Sequence, residues 1–209
     1  MSKQMDIYRN FAQLSATERE AVDFRVHAVK RHKWGTVIVA PHGGAIEPGT
    51  SEVAKAVAGD DLSLAVFEGI KPGGGNIRLH LTSINFDEPR CLGLVVEADA
   101  VVAIHGEASA EASVFLGGQD DTLGERLRAA LGRSGYAVKT HWNRSLRGLA
   151  AGNICNRGRY GAGVQLELSR GLRRSFFRSL TSAGRKKPTD ALFRFAAVLR
   201  QVLITDKSG

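Results

Sequence analysis

Hydrophobic and polar positions along this chain keep two different periods, and the switches between them mark out the elements. Thr36-Val37-Ile38-Val39-Ala40 and Val101-Val102-Ala103-Ile104 are unbroken, β-branched apolar runs. That is the pattern of strands covered on both faces of a sheet. Val164-Gln165-Leu166-Glu167-Leu168 alternates instead, with Leu166 and Leu168 on one face and Gln165, Glu167 and Ser169 on the other. Residues 21–30 also alternate, placing Val22, Phe24, Val26 and Ala28 on the apolar face of a half-buried strand. Shorter strands are predicted at 64–67, 79–82, 113–116 and 136–138.

Helical spacing takes over at 50–58, with Thr50 or Ser51 as cap and Gly59-Asp60-Asp61 as stop. It returns at 87–95, where acids and Pro89 favour a helix start. Residues 121–133 set Leu123, Leu127, Ala130 and Leu131 on one face, and 189–203 set Leu192, Phe195, Ala196, Leu199 and Leu203 in a stripe behind Pro188. Ser15-Ala16-Thr17-Glu18 has the form of a capping box and predicts a short helical turn with Ser15 as N-cap. The glycine-rich stretches 69–75, 117–120 and 149–163 read as loops or turns. Alternating strands and helices predict an α/β fold with a mixed, largely parallel central sheet. No repeat or linker divides the 209 residues, so 1–209 is read as a single domain.

Composition adds little to fold class but narrows function. Hydrophobic residues are 43% and charged residues 24%, ordinary globular usage, so disorder is not the default reading. Twenty-four glycines imply many tight turns. Residues 1–9 hold no apolar signal core, and no run is long and apolar enough to span a membrane, so a cytoplasmic protein released only by lysis is expected. The net charge of +8 points to an anionic partner, an acidic substrate, nucleic acid or an anionic membrane, and much of the excess lies in 170–187. Nucleic acid has only Phe176 and Phe177 as nearby aromatics and no recognised binding motif. Cys91 and Cys155 do not make a disulfide scaffold and are expected reduced and partly buried.

Two of the six histidines share one setting. His42 and His105 each end a buried strand and precede glycine, where loops at strand carboxyl ends line the ligand crevice of an open sheet. Glu47 follows in the loop of His42, with Gly43-Gly44 allowing a sharp turn. Two imidazoles and a carboxylate match a catalytic zinc site; equally, spacing alone allows ordinary strand-end histidines with hydrogen-bonded rings. Glu167 is either a general base in the same crevice or a solvated strand-face glutamate.

Longer blocks go further than spacing. Ala40-Pro41-His42-Gly43-Gly44-Ala45-Ile46-Glu47-Pro48-Gly49-Thr50-Ser51-Glu52 resembles the phage-related poly-γ-glutamate hydrolase family. So do Leu79-His80-Leu81-Thr82-Ser83, Phe86-Asp87-Glu88-Pro89-Arg90-Cys91, Ile104-His105-Gly106, Gly152-Asn153-Ile154-Cys155-Asn156-Arg157-Gly158 and Gly163-Val164-Gln165-Leu166-Glu167-Leu168-Ser169-Arg170, in order. The resemblance spans about 8–173. It implies a three-layer α/β/α fold like the zinc carboxypeptidases, one zinc ion on His42, Glu47 and His105, and Glu167 as general base. The implied reaction is hydrolysis of amides to glutamate in an acidic polymer. Arg170, Arg157 and Asn156 are the candidates for holding substrate carboxylates, because an arginine fork binds them bidentately. His80 is placed near the site, touching a ligand or substrate, or else is structural. An N-acyl-glutamate amidohydrolase, or a nucleic-acid-binding protein acting through the basic C-terminal third, are the alternatives.

Overall fold

The computed structural model describes residues 6–31 and 35–204. Seven strands form one sheet: β1 (Phe24–Val29), β2 (Thr36–Gly44), β3 (Ser63–Gly69), β4 (Ala100–Glu107), β5 (Val114–Gly118), β6 (Val138–Lys139) and β7 (Val164–Ser169), ordered β1-β3-β2-β4-β7-β5-β6. The central strands β3, β2, β4 and β7 run parallel, while β1 and β5 pair antiparallel at either side. The sheet is therefore mixed with a parallel centre, as the two long apolar runs require.

Helices cover both faces. α2 (Thr50–Ala58), α4 (Asp121–Arg133) and α7 (Asp190–Ile204) pack Val53, Val57, Leu127, Leu131, Phe195 and Leu199 against Ile38, Val102, Ile104 and Leu166. On the other face, Leu14 of α1 (Phe11–Ser15) and Cys91 and Val95 of α3 (Pro89–Val96) pack on Val37, Val39, Phe67, Val101 and Ala103. Each side chain of this core is almost wholly removed from water, a burial that stabilises by about 25 cal/mol per Å² of apolar surface. From β2 the chain crosses through α2 to β3 on one side, then through α3 to β4 on the other. The strand order thus reverses at β2, and a crevice opens between the carboxyl ends of β2 and β4.

Several sequence expectations change. Asn10, not Ser15, caps α1, accepting from the Gln13 amide at 2.9 Å, and Ser15 closes that helix. Glu18 is buried instead, taking the Tyr8 hydroxyl at 2.8 Å and the Lys71 ammonium. Residues 79–82 are not a strand: a 3₁₀ turn, Asn76–Leu79, leads into extended chain whose buried Leu79 and Leu81 imitate strand alternation. β1 begins only at Phe24, leaving Val22 43% exposed. Gly117 and Gly118 stay in β5, opposite Gln165 and Val164. Two short helices were not anticipated, α5 (Arg170–Ser175) and α6 (Ser182–Arg185). Both cysteines are free and fully rather than partly buried. Among the described residues no helix is long and apolar enough to cross a membrane.

Candidate active site

Plain alternation would send His42 to the wrong layer. Ile38 and Ala40 face the α2 side, and His42 keeps their parity. However, Ala40 pairs with Val66 while Gly43 pairs with Glu68, three steps on β2 against two on β3. The extra residue at Pro41-His42 is a β-bulge, which re-aims the side chain to the opposite face. His105 reaches that face by simple alternation after Val101 and Ala103, and Glu167 lies directly beside it in register. Glu47 arrives through a tight turn in which its amide donates to the His42 carbonyl at 2.9 Å. Gly44 takes φ +66° in that turn, and a Cβ on Gly43 would meet Ser51 Oγ at 2.2 Å, so both glycines are needed.

The three predicted ligands converge. His42 Nδ1 stands 3.1 Å from Glu47 Oε1 and 3.2 Å from His105 Nδ1, and His105 Nδ1 stands 3.8 Å from Glu47 Oε2. The other ring nitrogen of His42 donates to the Leu81 carbonyl at 2.7 Å, and the Gly106 amide donates to Glu47 Oε2 at 2.8 Å. A neutral His42 with its proton on Nε2 must direct the Nδ1 lone pair at a carboxylate and a second imidazole. Such an array of acceptors needs a shared positive charge, and a carbonyl-oriented imidazole is the arrangement that a divalent metal uses. The donor set therefore fits zinc: nitrogen and oxygen ligands from two separate segments, with a pocket at their side.

His80 belongs to the same cluster. Its ring stacks on His42 at 4.0 Å between centroids, and it offers a ring nitrogen within 4.8 Å of ligand atoms of His42 and Glu47. The His42–Glu47 pair is thus common to two candidate triads, one completed by His105 and one by His80. His80 Nδ1 donates to Asp6 Oδ1 at 2.8 Å, and Asp6 also accepts the Thr82 amide, so the ring is held from behind.

The electrostatics follow from burial and crowding. Burial opposes a charge on His42, but Glu47 outweighs it and lifts the imidazole above its ordinary pKa. Burial alone would raise Glu47, yet His42 holds it well below the carboxylate range. His105 is pushed down to about 3 by burial, with Glu47 offsetting in part. Glu167 goes the other way: burial, then the charges of Glu47 and Glu107, drive it well above an ordinary glutamate. Its Oε1 accepts from Gln165 Nε2 at 3.0 Å. A buried carboxyl with high proton affinity beside a ligand cluster is suited to proton transfer.

A cavity of about 760 Å³ opens at this cluster, lined by Glu47, His80, Gly106 and Glu107 and by Arg170, Arg173, Arg174 and Arg178. Arg170, a candidate from the sequence, is among the lining residues. Asn156 and Arg157 are not among the lining residues. Asn156 is buried, with its amide on the Gly148 and Ala150 carbonyls and its oxygen accepting from the Gln119 and Gly163 amides; Arg157 bonds the Phe86 carbonyl. The structure assigns them loop-shaping contacts and brings neither to the pocket. Asp6 and Arg173 were missed. Arg173 is buried and donates to the carbonyls of Leu168, Pro48 and Glu107 at 3.0, 2.6 and 2.8 Å.

Residues 8–198 match the model of a family described as poly-gamma-glutamate hydrolase. The protein YndL of Bacillus subtilis (strain 168) is 34% identical over 199 residues, covering 91% of this chain and 77% of YndL. A solved structure of bacteriophage poly-gamma-glutamate hydrolase superposes with a TM-score of 0.89 at 30% identity, covering 95% of this chain and 96% of that one. The zinc-free apo form of YndL gives 0.88 at 32% identity, covering 97% and 100%.

Proposed function

Because this chain belongs to the poly-gamma-glutamate hydrolase family, we propose that it cleaves γ-glutamyl amide bonds in an acidic polymer, using one zinc ion on His42, Glu47 and His105 with Glu167 as general base. The observation that carries the reading is the convergence of those three ligands, within 3.1 to 3.8 Å of one another, at the wall of an arginine-lined pocket. A solved relative described as zinc-free supports zinc as the metal. Bound there, zinc supplies a Lewis acid and makes a water molecule acidic near neutral pH.

The chain's own groups do the rest. Glu167, whose high proton affinity comes from burial and two neighbouring carboxylates, takes a proton from the attacking water and returns it to the leaving amine. Arg170 holds a substrate carboxylate at the pocket edge. Leu81 and Asp6 fix the rings of His42 and His80, so that neither must reorganise during reaction.

Nucleic acid is the weaker reading because no recognised binding motif accompanies the basic stretch, and two of its seven cations turn inward. Arg173 is committed to three carbonyls, and Arg185 is buried on Glu52 and the Leu180 carbonyl. The test is direct. Purified protein should carry about one zinc per chain and cleave poly-γ-glutamate, and a chelator should stop it. Cleavage of small N-acyl glutamates with no action on the polymer would move the assignment to the smaller substrate.

A further inference from the structure

The cavity beside the ligand cluster extends toward β2, with Ile46, Ile77 and His80 in its wall. A second surface lies on the other side of the cluster, toward β5, and none of its residues lines that cavity. Neighbouring strands bring His105, Glu167 and Phe115 into one cross-strand row on the same face, so Phe115 stands one strand, about 4.8 Å, beyond Glu167. The half-buried Phe115 ring meets His141 edge-on at 4.7 Å between centroids, and His141 meets Trp142 at 5.5 Å. Three rings thus lead away from Glu167, and the last of them is 83% exposed.

An indole left in water contributes little to folding, yet the loop that holds it is firmly built. The Asn143 amide donates to His141 Nδ1 at 3.0 Å, and Asn143 Oδ1 accepts from both the amide and the hydroxyl of Ser145. Arg147 donates to the carbonyls of His141 and Trp142 at 2.6 and 3.3 Å. Fixing such a loop costs conformational entropy, and what the loop delivers is a presented ring. His141 adds a polar mark. It is buried, and with Nδ1 accepting it carries its proton on Nε2, for which no described residue is an acceptor. Ile84, next to the Ser83 hydroxyl that meets His105, and Leu149 are also exposed. Apolar rings around one free N–H do not suit a phosphate or a carboxylate. They suit a chain of methylenes and amides.

We propose that Phe115, His141 and Trp142 form a subsite beside Glu167 for the uncharged backbone of a γ-glutamyl unit. Its two methylenes lie on the rings, and its amide carbonyl accepts from His141 Nε2. A γ linkage puts those methylenes in the main chain, whereas an α linkage leaves them in the side chain next to the charge. The subsite therefore reads the linkage rather than the carboxylates. This rests on the function proposed above, whose specificity it deepens.

The experiment uses Trp142 as its own reporter. The sequence holds one other tryptophan, Trp34, so zinc-supplemented protein carrying Trp34→Phe and Glu167→Gln emits from Trp142 alone. Poly-γ-glutamate should shift that emission to the blue as the indole loses water, and poly-α-glutamate of equal length should not. Burial of two methylenes corresponds to roughly a ten-fold change in affinity, so Trp142→Ala should weaken γ-polymer binding by about that factor in calorimetry. The factor should be the same at low and high salt, because the contact carries no charge. In the otherwise unchanged enzyme Trp142→Ala should raise KM more than it lowers kcat, with Trp142→Phe recovering most of the loss. His141→Asn, which keeps an acceptor for the Asn143 amide but lacks the Nε2 donor, should also weaken binding, and His141→Gln should recover part. An emission that ignores the γ-polymer, an equal response to the α-polymer, or unchanged affinity in Trp142→Ala overturns the proposal. If the emission and affinity respond as expected but the unchanged enzyme fails to cleave the polymer, the subsite stands and the hydrolase reading falls.

Discussion

Glu167→Gln separates chemistry from architecture at one position. Glutamine has nearly the same shape, and its carbonyl oxygen can keep the hydrogen bond that Gln165 Nε2 donates at 3.0 Å. What disappears is the ability to take a proton and the negative charge beside Glu47 and Glu107. Removing a general base slows reaction by about 10²–10⁴-fold, or about 3–5 kcal/mol of transition-state stabilisation. Stability should move the opposite way. The Glu167 pKa is raised by folding, so its favourable contribution is complete below the ordinary value of 4.5 and is lost as pH rises through the folded value. Glutamine has no such loss. In chelated protein the variant should melt near the wild-type temperature at about pH 4.5, then increasingly above it toward pH 8. The assays are amine release from poly-γ-glutamate, zinc content and thermal unfolding at several pH values. A variant that keeps more than a tenth of wild-type turnover, or that melts well below wild type at pH 8, refutes the assignment.

Other outcomes follow from the same geometry. Zinc added to chelated wild-type protein at 100 times its dissociation constant should stabilise it by about 2.7 kcal/mol, and His42→Ala or His105→Ala should abolish the shift in a melting experiment. The same titration of His80→Ala decides between the two ligand triads, because retained affinity leaves His105 as the third ligand. Gly106→Ala would place a Cβ 2.7 Å from Arg173 Cζ, so it should cost about 1–3 kcal/mol in denaturant unfolding, while the same change at Gly93, where a Cβ meets nothing, should not. Cys91 and Cys155 should resist a thiol reagent in native protein and react only on unfolding, since burial pushes Cys155 up to about 12 and Cys91 also well above normal.

The parts of the fold that were legible in the sequence are those in which local pattern and tertiary environment agree. The runs at 36–40 and 101–104 are buried on both faces and read as such. The stripe through Leu192, Phe195 and Leu199 packs as its spacing requires. Segment 79–82 misled because Leu79 and Leu81 are buried by loop packing rather than by a sheet, and alternation cannot distinguish the two. Capping was misjudged because Asn10 and Ser15 are both good caps by type, and only the position of Phe11, anchored by Asp87, decides between them. At the site, His42, Glu47 and His105 could be named from strand ends and a block resemblance. Asp6 behind His80 and Arg173 on the Pro48 and Glu107 carbonyls could not, because those contacts cross long stretches of chain. Asn156 and Arg157 looked available in a polar loop, yet Asn156 holds that loop's own backbone and Arg157 ties it to the Phe86 carbonyl.

The single additional residue in β2 means that the candidate site depends on a count as well as on an identity. Deleting one position near Pro41 would leave every recognisable ligand in the chain, yet restore even pairing with β3 and roll the imidazole of His42 beneath α2, among Val53 and its aliphatic neighbours. Such a protein would keep the blocks that mark its family but could not bring His42 to Glu47 and His105. Transplanting this centre into another parallel sheet would likewise require carrying over the irregularity along with the histidine.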